Sequence, residues 1–209
     1  MKKGTFVRLF PALKHLNIPN AITTMGLVFG IGSCYFLTQR NLRLAILSLF
    51  FAGVMDAVDG FVASKLDQQT TFGQYVDTLV DFFTCCIIPI WMVFDLLIDG
   101  TVRGSLAVVL GLVFYCVCGL WRLAYYNIIE ADKYFTGLPV PGAMMIVTIT
   151  VWLVYTVPFG IDVPVWAAGI MFFVVGLLMV SGIELRKYGL WQKTMAGLGI
   201  CFLILMMVV

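Results

Sequence analysis

The stretch MDAVDGFVASKLDQQTTFGQYVDTLVDFF, residues 55–83, holds five aspartates: Asp56, Asp59, Asp67, Asp77 and Asp81. Asp56 and Asp59 are spaced i, i+3, and Asp77 and Asp81 are spaced i, i+4. On helices, each pair lies on one face, about 60° and about 40° apart around the axis. Asp67 sits apart, in the polar turn SKLDQQTT, where a capping role accounts for it. The other four carboxylates repel one another, and Lys65 is the only basic residue between positions 44 and 102. Divalent cations are the natural compensation. Carboxylate-only ligation selects hard ions such as Mg²⁺, Mn²⁺ or Ca²⁺, and two such ions balance four negative charges. Mg²⁺ and Mn²⁺ at carboxylates typically also hold phosphate oxygens, which points to phosphoryl chemistry. Gly60, Ala63 and Gly73 flank the acids. Small side chains there leave room for a ligand to reach the backbone, or simply let helices pack closely.

The elements that position these acids are membrane helices. Of 209 residues, 62% are hydrophobic and 11% are charged, against roughly 25% charged in a soluble domain. Mean hydropathy is +1.03. The apolar runs are continuous rather than alternating, which excludes a β-barrel and predicts an all-α polytopic membrane protein. Runs of roughly 20 apolar residues place spans at 20–37, 42–64, 73–94, 104–126, 138–157, 163–182 and 190–209. The second span ends in Asp56 and Asp59, and the third begins with Asp77 and Asp81. A short connection makes the two antiparallel neighbours, so the four carboxylates meet at one depth. A carboxylate costs about 2.5–3.5 kcal/mol near the bilayer centre, and less near a span end.

Composition excludes other classes. His15 is the only histidine, which leaves no His-based zinc site, haem ligation or triad. Six cysteines (Cys34, Cys85, Cys86, Cys116, Cys118 and Cys201) all fall in apolar runs, as buried or lipid-facing residues rather than disulfide or zinc partners. A net charge of +2 gives no reason to expect nucleic acid. Residues 1–19 lack the apolar core of a cleavable signal peptide. They mix Lys2, Lys3, Arg8, Lys14 and His15 with Phe6, Leu9, Phe10 and Leu13, as an interfacial segment or a frayed polar tail would. Pro11 interrupts any helix there. The organisation expected is thus an interfacial segment over 1–19, a transmembrane core over 20–182, and a C-terminal loop with an extra span over 183–209. An N-terminus in the cytoplasm puts Lys2, Lys3, Arg8, Lys14, Lys65, Lys133, Arg186 and Lys187 on the cytoplasmic side and Arg40, Arg43 and Arg103 outside. The aspartates then face the cytoplasm, in the cell membrane.

The acidic stretch resembles the CDP-alcohol phosphotransferases, whose pattern is D-x2-D-G-x2-A-R-x8-G-x3-D-x3-D. Asp56, Asp59, Gly60, Ala63, Gly73, Asp77 and Asp81 match at every spacing. Ser64 stands where the family usually has arginine. The match covers residues 56–81, and the multi-span architecture and chain length also fit. Within the family, the bacterial and archaeal phosphatidylserine synthases are similar at further points. Asn17-Ile18-Pro19-Asn20 with Thr23 resembles their N-terminal signature. Arg122-Leu123-Ala124-Tyr125-Tyr126-Asn127 resembles RLARFN. Phe135-Thr136-Gly137-Leu138-Pro139-Val140-Pro141 resembles F-x-G-L-P-x-P, its prolines suiting a helix start. Leu178-Met179-Val180-Ser181 resembles LMVS.

The resemblance implies a phospholipid-biosynthesis transferase acting on CDP-diacylglycerol or an archaeal ether analogue. The acceptor hydroxyl, favoured as that of serine over glycerol 3-phosphate or inositol phosphate, attacks the lipid-side phosphorus, and CMP leaves. By position, Asp56, Asp59, Asp77 and Asp81 would hold two Mg²⁺ or Mn²⁺ ions, with Asp81 as general base. Asp59, Gly60, Ala63, Ser64, Gly73 and Asp77, with Asn20 and Thr23, would line the nucleotide site. Arg122, Asn127 and Lys133 are candidates for the acceptor; Arg122 equally suits an anchor that snorkels to the interface. Ser64 implies weaker nucleotide binding, since Lys65 points roughly 100° away. The family implies a homodimer. Two other classes compete: an ion transporter, which would spread its acids near mid-membrane, and a non-catalytic membrane protein with a degenerate site.

Overall fold

The computed structural model describes residues 11–98, 106–129, 134–156 and 165–186, together with 197, 199, 201 and 202. Residues 1–10, Lys133 and most of the span expected over 190–209 lie outside that set.

Each early helix starts at a side-chain cap. Asn17 accepts from the Asn20 amide at 2.9 Å and opens α1 (Ile18–Thr38), with Pro19 in the first turn, where no helical donor is lost. Asn41 accepts from Leu44 N at 3.1 Å and opens α2 (Leu42–Leu66). Asp67 ends α2 in the left-handed region, φ 51°, its amide donating to Ala63 O. Aspartate tolerates that conformation better than most residues, so Asp67 belongs to the turn, as expected. Thr70 accepts from Gly73 N at 3.0 Å and opens α3 (Thr71–Asp81).

The chain then continues without a break through a π-helical turn, Phe82–Ile87, into α4 (Ile88–Ile98). Neither spacing nor composition signalled this turn. A π turn loosens the backbone ladder, and a neighbouring helix stabilises it here. Tyr115 of α5 (Leu106–Tyr126) donates its hydroxyl to Cys85 O at 2.7 Å. Gly119, also on α5, lies against Cys86 Sγ, where a Cβ would collide.

The helices α6 (Val140–Thr156) and α7 (Val165–Met179) complete the described bundle. Four segments are long and apolar enough to cross a membrane: Ile18–Thr38, Leu42–Leu66, Thr71–Asp95 and Leu106–Tyr126. With the shorter α6 and α7, they make an all-α integral membrane protein. α1 packs along α2, and α5 along α7. At the second contact, a Cβ on Gly111 would meet Gly169 O and one on Gly169 would meet Ala107 O. Such small residues let transmembrane backbones approach closely. Tyr115, Trp152, Phe172 and Met92 are fully enclosed between the helices. Phe202 meets Trp152 edge-on at 5.4 Å, so the described C-terminal residues rest on α6.

The helix expected over 163–182 stops earlier, at Met179. Ser181 Oγ turns back onto Leu178 O at 2.9 Å, offering the last turn an alternative to helix propagation. Leu178 O also accepts from Leu138 N at 2.8 Å, and Ile183 O accepts from Gly137 N at 2.8 Å. The released chain forms β2 (Glu184–Arg186), antiparallel to β1 (Tyr134–Thr136), with Thr136 opposite Glu184. Gly137 makes this junction possible. Its φ is +72°, and a Cβ there would strike Met179 O. Two short motifs far apart in sequence, FTGLPVP and LMVS, are thus the two halves of one backbone junction.

Candidate active site

The α2–α3 hairpin brings the acids together. One carboxylate oxygen each from Asp56, Asp59 and Asp77 lies within 4.8 Å of the others. Hard cations with metal–oxygen bonds of about 2.0–2.6 Å produce coordination spheres on that scale. Asp81, one helical turn further along α3, contacts Asp56 side chain to side chain, as does Asp77. Asp56 is therefore the node of the cluster, and Asp81 joins through it. Among the described residues, none of these four carboxylates pairs with a basic side chain. Lys65, the nearest cation in sequence, reaches back over the Phe61 ring at 5.9 Å. Acidic groups this close, without a counter-charge, fit a bound divalent cation. Metal use is general in the family this pattern resembles, and the donor set here accommodates it.

Asp59 is the most enclosed of the four, at 5% exposure. Its carboxylate is held by the hydroxyl of Thr23, which also lies 3.1 Å from Pro19 O. Thr23 carries one proton, so it can serve only one acceptor at a time. It orients one Asp59 oxygen. Asn20, one turn earlier on α1, is also buried. Its amide donates to His15 O at 2.9 Å. Asn17 adds a link to Gln68 O at 3.5 Å, and His15 stacks on Phe72 at 4.7 Å. The N-terminal signature thus clamps the hairpin that carries the acids.

The small residues divide. A Cβ on Gly73 would sit 2.7 Å from Asn20 Oδ1, so Gly73 serves the close approach of α1 and α3. Nothing lies within 4 Å of a Cβ on Gly60, which faces open space beside Asp59. Ala63 is half-buried and Ser64 exposed on the same helix. Lys65, beside Ser64, is turned toward Phe61 rather than toward the place of the family's arginine.

Of the three acceptor candidates, Arg122 is the one buried among the described residues. It is 8% exposed, its guanidinium lies 4.6 Å over the Tyr126 ring, and its Nε has no hydrogen-bond partner among the described residues. It lines a cavity of about 330 Å³ with Tyr126, Thr136 and Ser181, and it lies within electrostatic range of Asp81. Arg122 is thus packed within the bundle rather than extended over an exposed helix surface. Asn127 is occupied differently: its amide donates to Thr78 Oγ1 at 2.8 Å and to Leu123 O at 3.1 Å, tying α5 to α3 beside Asp77. Lys133 is outside the described residues. Sequence reasoning passed over Tyr126 and Thr136; their only signal was the tyrosine standing where RLARFN has phenylalanine.

The family model described as CDP-alcohol phosphatidyltransferase matches residues 16–180. The chain is 28% identical over 183 residues to the CDP-diacylglycerol–serine O-phosphatidyltransferase of Mycobacterium tuberculosis, covering 81% of this chain and 61% of that protein. It is 27% identical over 185 residues to the protein of the same name from Methanocaldococcus jannaschii, covering 86% and 79%. Similarity extends to the archaetidylserine synthase of Methanothermobacter thermautotrophicus, 26% identical over 174 residues, covering 80% and 68%. The chain therefore spans about three-fifths of the length of the mycobacterial relative.

Proposed function

The chain belongs to the CDP-alcohol phosphatidyltransferase family, and from that premise we propose that it transfers a phosphatidyl group from CDP-diacylglycerol, or its ether-lipid analogue, to the hydroxyl of serine, releasing CMP. The observation that carries this reading is the convergence of Asp56, Asp59 and Asp77 within 4.8 Å, with Asp81 against Asp56. A divalent cation, Mg²⁺ or Mn²⁺ and as a pair of ions, would be held by these carboxylates and would offset the charge of the pyrophosphate. Thr23 fixes the orientation of Asp59, and the open face at Gly60 admits the nucleotide. Asp81 takes the proton from the acceptor hydroxyl as its oxygen bonds to the lipid-side phosphorus; the bond from that phosphorus to the CMP oxygen breaks, and CMP departs. Arg122, with one positive charge near Asp81, suits the single carboxylate of serine. The relatives named as serine and archaetidylserine enzymes support the same choice of acceptor. The protein would work as a homodimer in the cell membrane, with the N-terminus, residues 1–19 along the interface, and the acids at the cytoplasmic face.

The test is direct. Purified protein receives CDP-diacylglycerol, Mg²⁺ or Mn²⁺, and serine, glycerol 3-phosphate or inositol phosphate in separate reactions, and CMP is measured. Serine-dependent CMP is expected. Absence of CMP with every acceptor would remove the enzyme reading and leave a non-catalytic membrane protein; CMP with glycerol 3-phosphate alone would overturn only the acceptor.

Ser64 gives a second expectation. Its side chain is exposed and the adjacent Lys65 is turned toward Phe61, so Ser64→Arg adds a charge where a diphosphate would pass. CDP-diacylglycerol affinity is expected to rise about tenfold to a hundredfold, the range of a charge-assisted hydrogen bond. Equal affinity in wild type and variant, by titration with a fluorescent CDP analogue, would count against a diphosphate path at this position.

A further inference from the structure

The β1–β2 ribbon is only three residues long on each side, and two isolated strands are marginally stable at best. The outer edge of any two-stranded ribbon has backbone groups that its own ladder does not pair. Tyr126, at the end of α5, meets that edge. Its hydroxyl accepts from Thr136 N at 2.6 Å, donates to Thr136 O at 2.8 Å, and lies 3.0 Å from Thr136 Oγ1. One phenol thus satisfies both backbone groups of one strand residue. The other side of the same ring carries a second load: the Arg122 guanidinium lies over it at 4.6 Å. Thr136 of the ribbon, and Ser181 and Gly182 just before β2, form one wall of the Arg122 cavity.

We infer that Tyr126 is a positioning residue for the acceptor: its hydroxyl latches the ribbon to α5 as the wall of the Arg122 cavity, while its ring sets the guanidinium toward a bound carboxylate. This rests on the reading of Arg122 as the acceptor's partner. Three features converge on it. Arg122 is 8% exposed with Nε unpartnered among the described residues, so its site calls for an anion. The cavity of about 330 Å³ has room for a small amino acid. The hydroxyl stands where the RLARFN pattern has phenylalanine, which could stack under the arginine but could not hold the ribbon.

Tyr126→Phe separates the two roles, because it retains the ring and deletes the latch. In the full-length protein in lipid nanodiscs, the KM for serine is expected to rise about threefold to tenfold, matching the loss of one or two hydrogen bonds. The KM for CDP-diacylglycerol should stay within about twofold, since the aspartate hairpin is untouched. Backbone amide exchange should accelerate at Thr136 and Gly137 but not along α2 or α3. Tyr126→Leu, which also removes the ring from beneath Arg122, should raise the serine KM further. An unchanged serine KM in Tyr126→Phe, or a parallel fall in activity and in protection throughout the bundle, would overturn the inference. The exchange measurement needs no turnover. If no acceptor releases CMP, the proposed function fails, and unaltered exchange at Thr136 would still separately refute the latch.

Discussion

Asp81→Asn is expected to lower CMP release by about a hundredfold to ten-thousandfold, the span of a lost general base, while CDP binding changes little. The geometry separates the two effects. The three-oxygen cluster is formed by Asp56, Asp59 and Asp77 without Asp81. Asp81 lies against Asp56 and within electrostatic reach of Arg122. Asparagine conserves its shape and can still hydrogen-bond to Asp56, so the hairpin should fold normally. What it cannot do is accept a proton from the attacking hydroxyl. Single-turnover CMP release in saturating serine, alongside titration with a fluorescent CDP analogue, checks both halves. Retained turnover would refute the role of base. Lost nucleotide binding would instead make Asp81 part of the metal and nucleotide set.

Asp56→Ala should have the second large effect, this time on metal binding itself. Asp56 touches both Asp77 and Asp81 and supplies one oxygen of the cluster. Its removal deletes the shared node, so Mn²⁺ affinity is expected to fall at least tenfold, a lower bound set by the effect of losing even an outer partner of a ligand. Mn²⁺ titration followed by electron paramagnetic resonance reads this without any turnover. A second readout comes from linkage. A ligand at a hundred times its Kd stabilises the folded state by about 2.7 kcal/mol. Wild-type protein should therefore unfold at a higher temperature in saturating Mn²⁺ than in chelator. The variant should lose that difference yet be no less stable than wild type in chelator, because one of several repelling carboxylates is gone. A variant that still gains stability from Mn²⁺ would show that the ion sits elsewhere.

Both results bear on the competing classes. A transporter using these acids as an ion path would lose flux on either substitution but would release no CMP. A degenerate, non-catalytic site would tolerate Asp81→Asn without consequence.

The acidic site was legible in the chain because its order is local. Asp56 with Asp59 and Asp77 with Asp81 share helix faces by the 3.6-residue period alone, and a connection of a few residues forces the two helices to be antiparallel neighbours. Apolar run length located the early spans, and Asp67 declared itself turn chemistry by its polar surroundings. Caps at Asn17, Asn41 and Thr70 were likewise set by residues within three positions of the helix starts.

What only the tertiary structure decided depends on residues distant in sequence. Gly73 reads in the sequence as room for a ligand or for close helix packing, and only the fold shows that its missing Cβ makes room for Asn20 on another helix. The π turn after Asp81 is held by Tyr115 and Gly119, some thirty residues on. Arg122 reads equally as anchor or ligand partner in the sequence, and only the fold buries it against Tyr126. The ribbon joins residues 134–136 to 184–186 across a full pair of helices, through three-residue strands too short to leave a period-2 pattern. Helical periodicity and turn chemistry are written within a few residues of the site they shape. Packing contacts and backbone pairing are fixed by which distant segments the membrane bundle brings side by side.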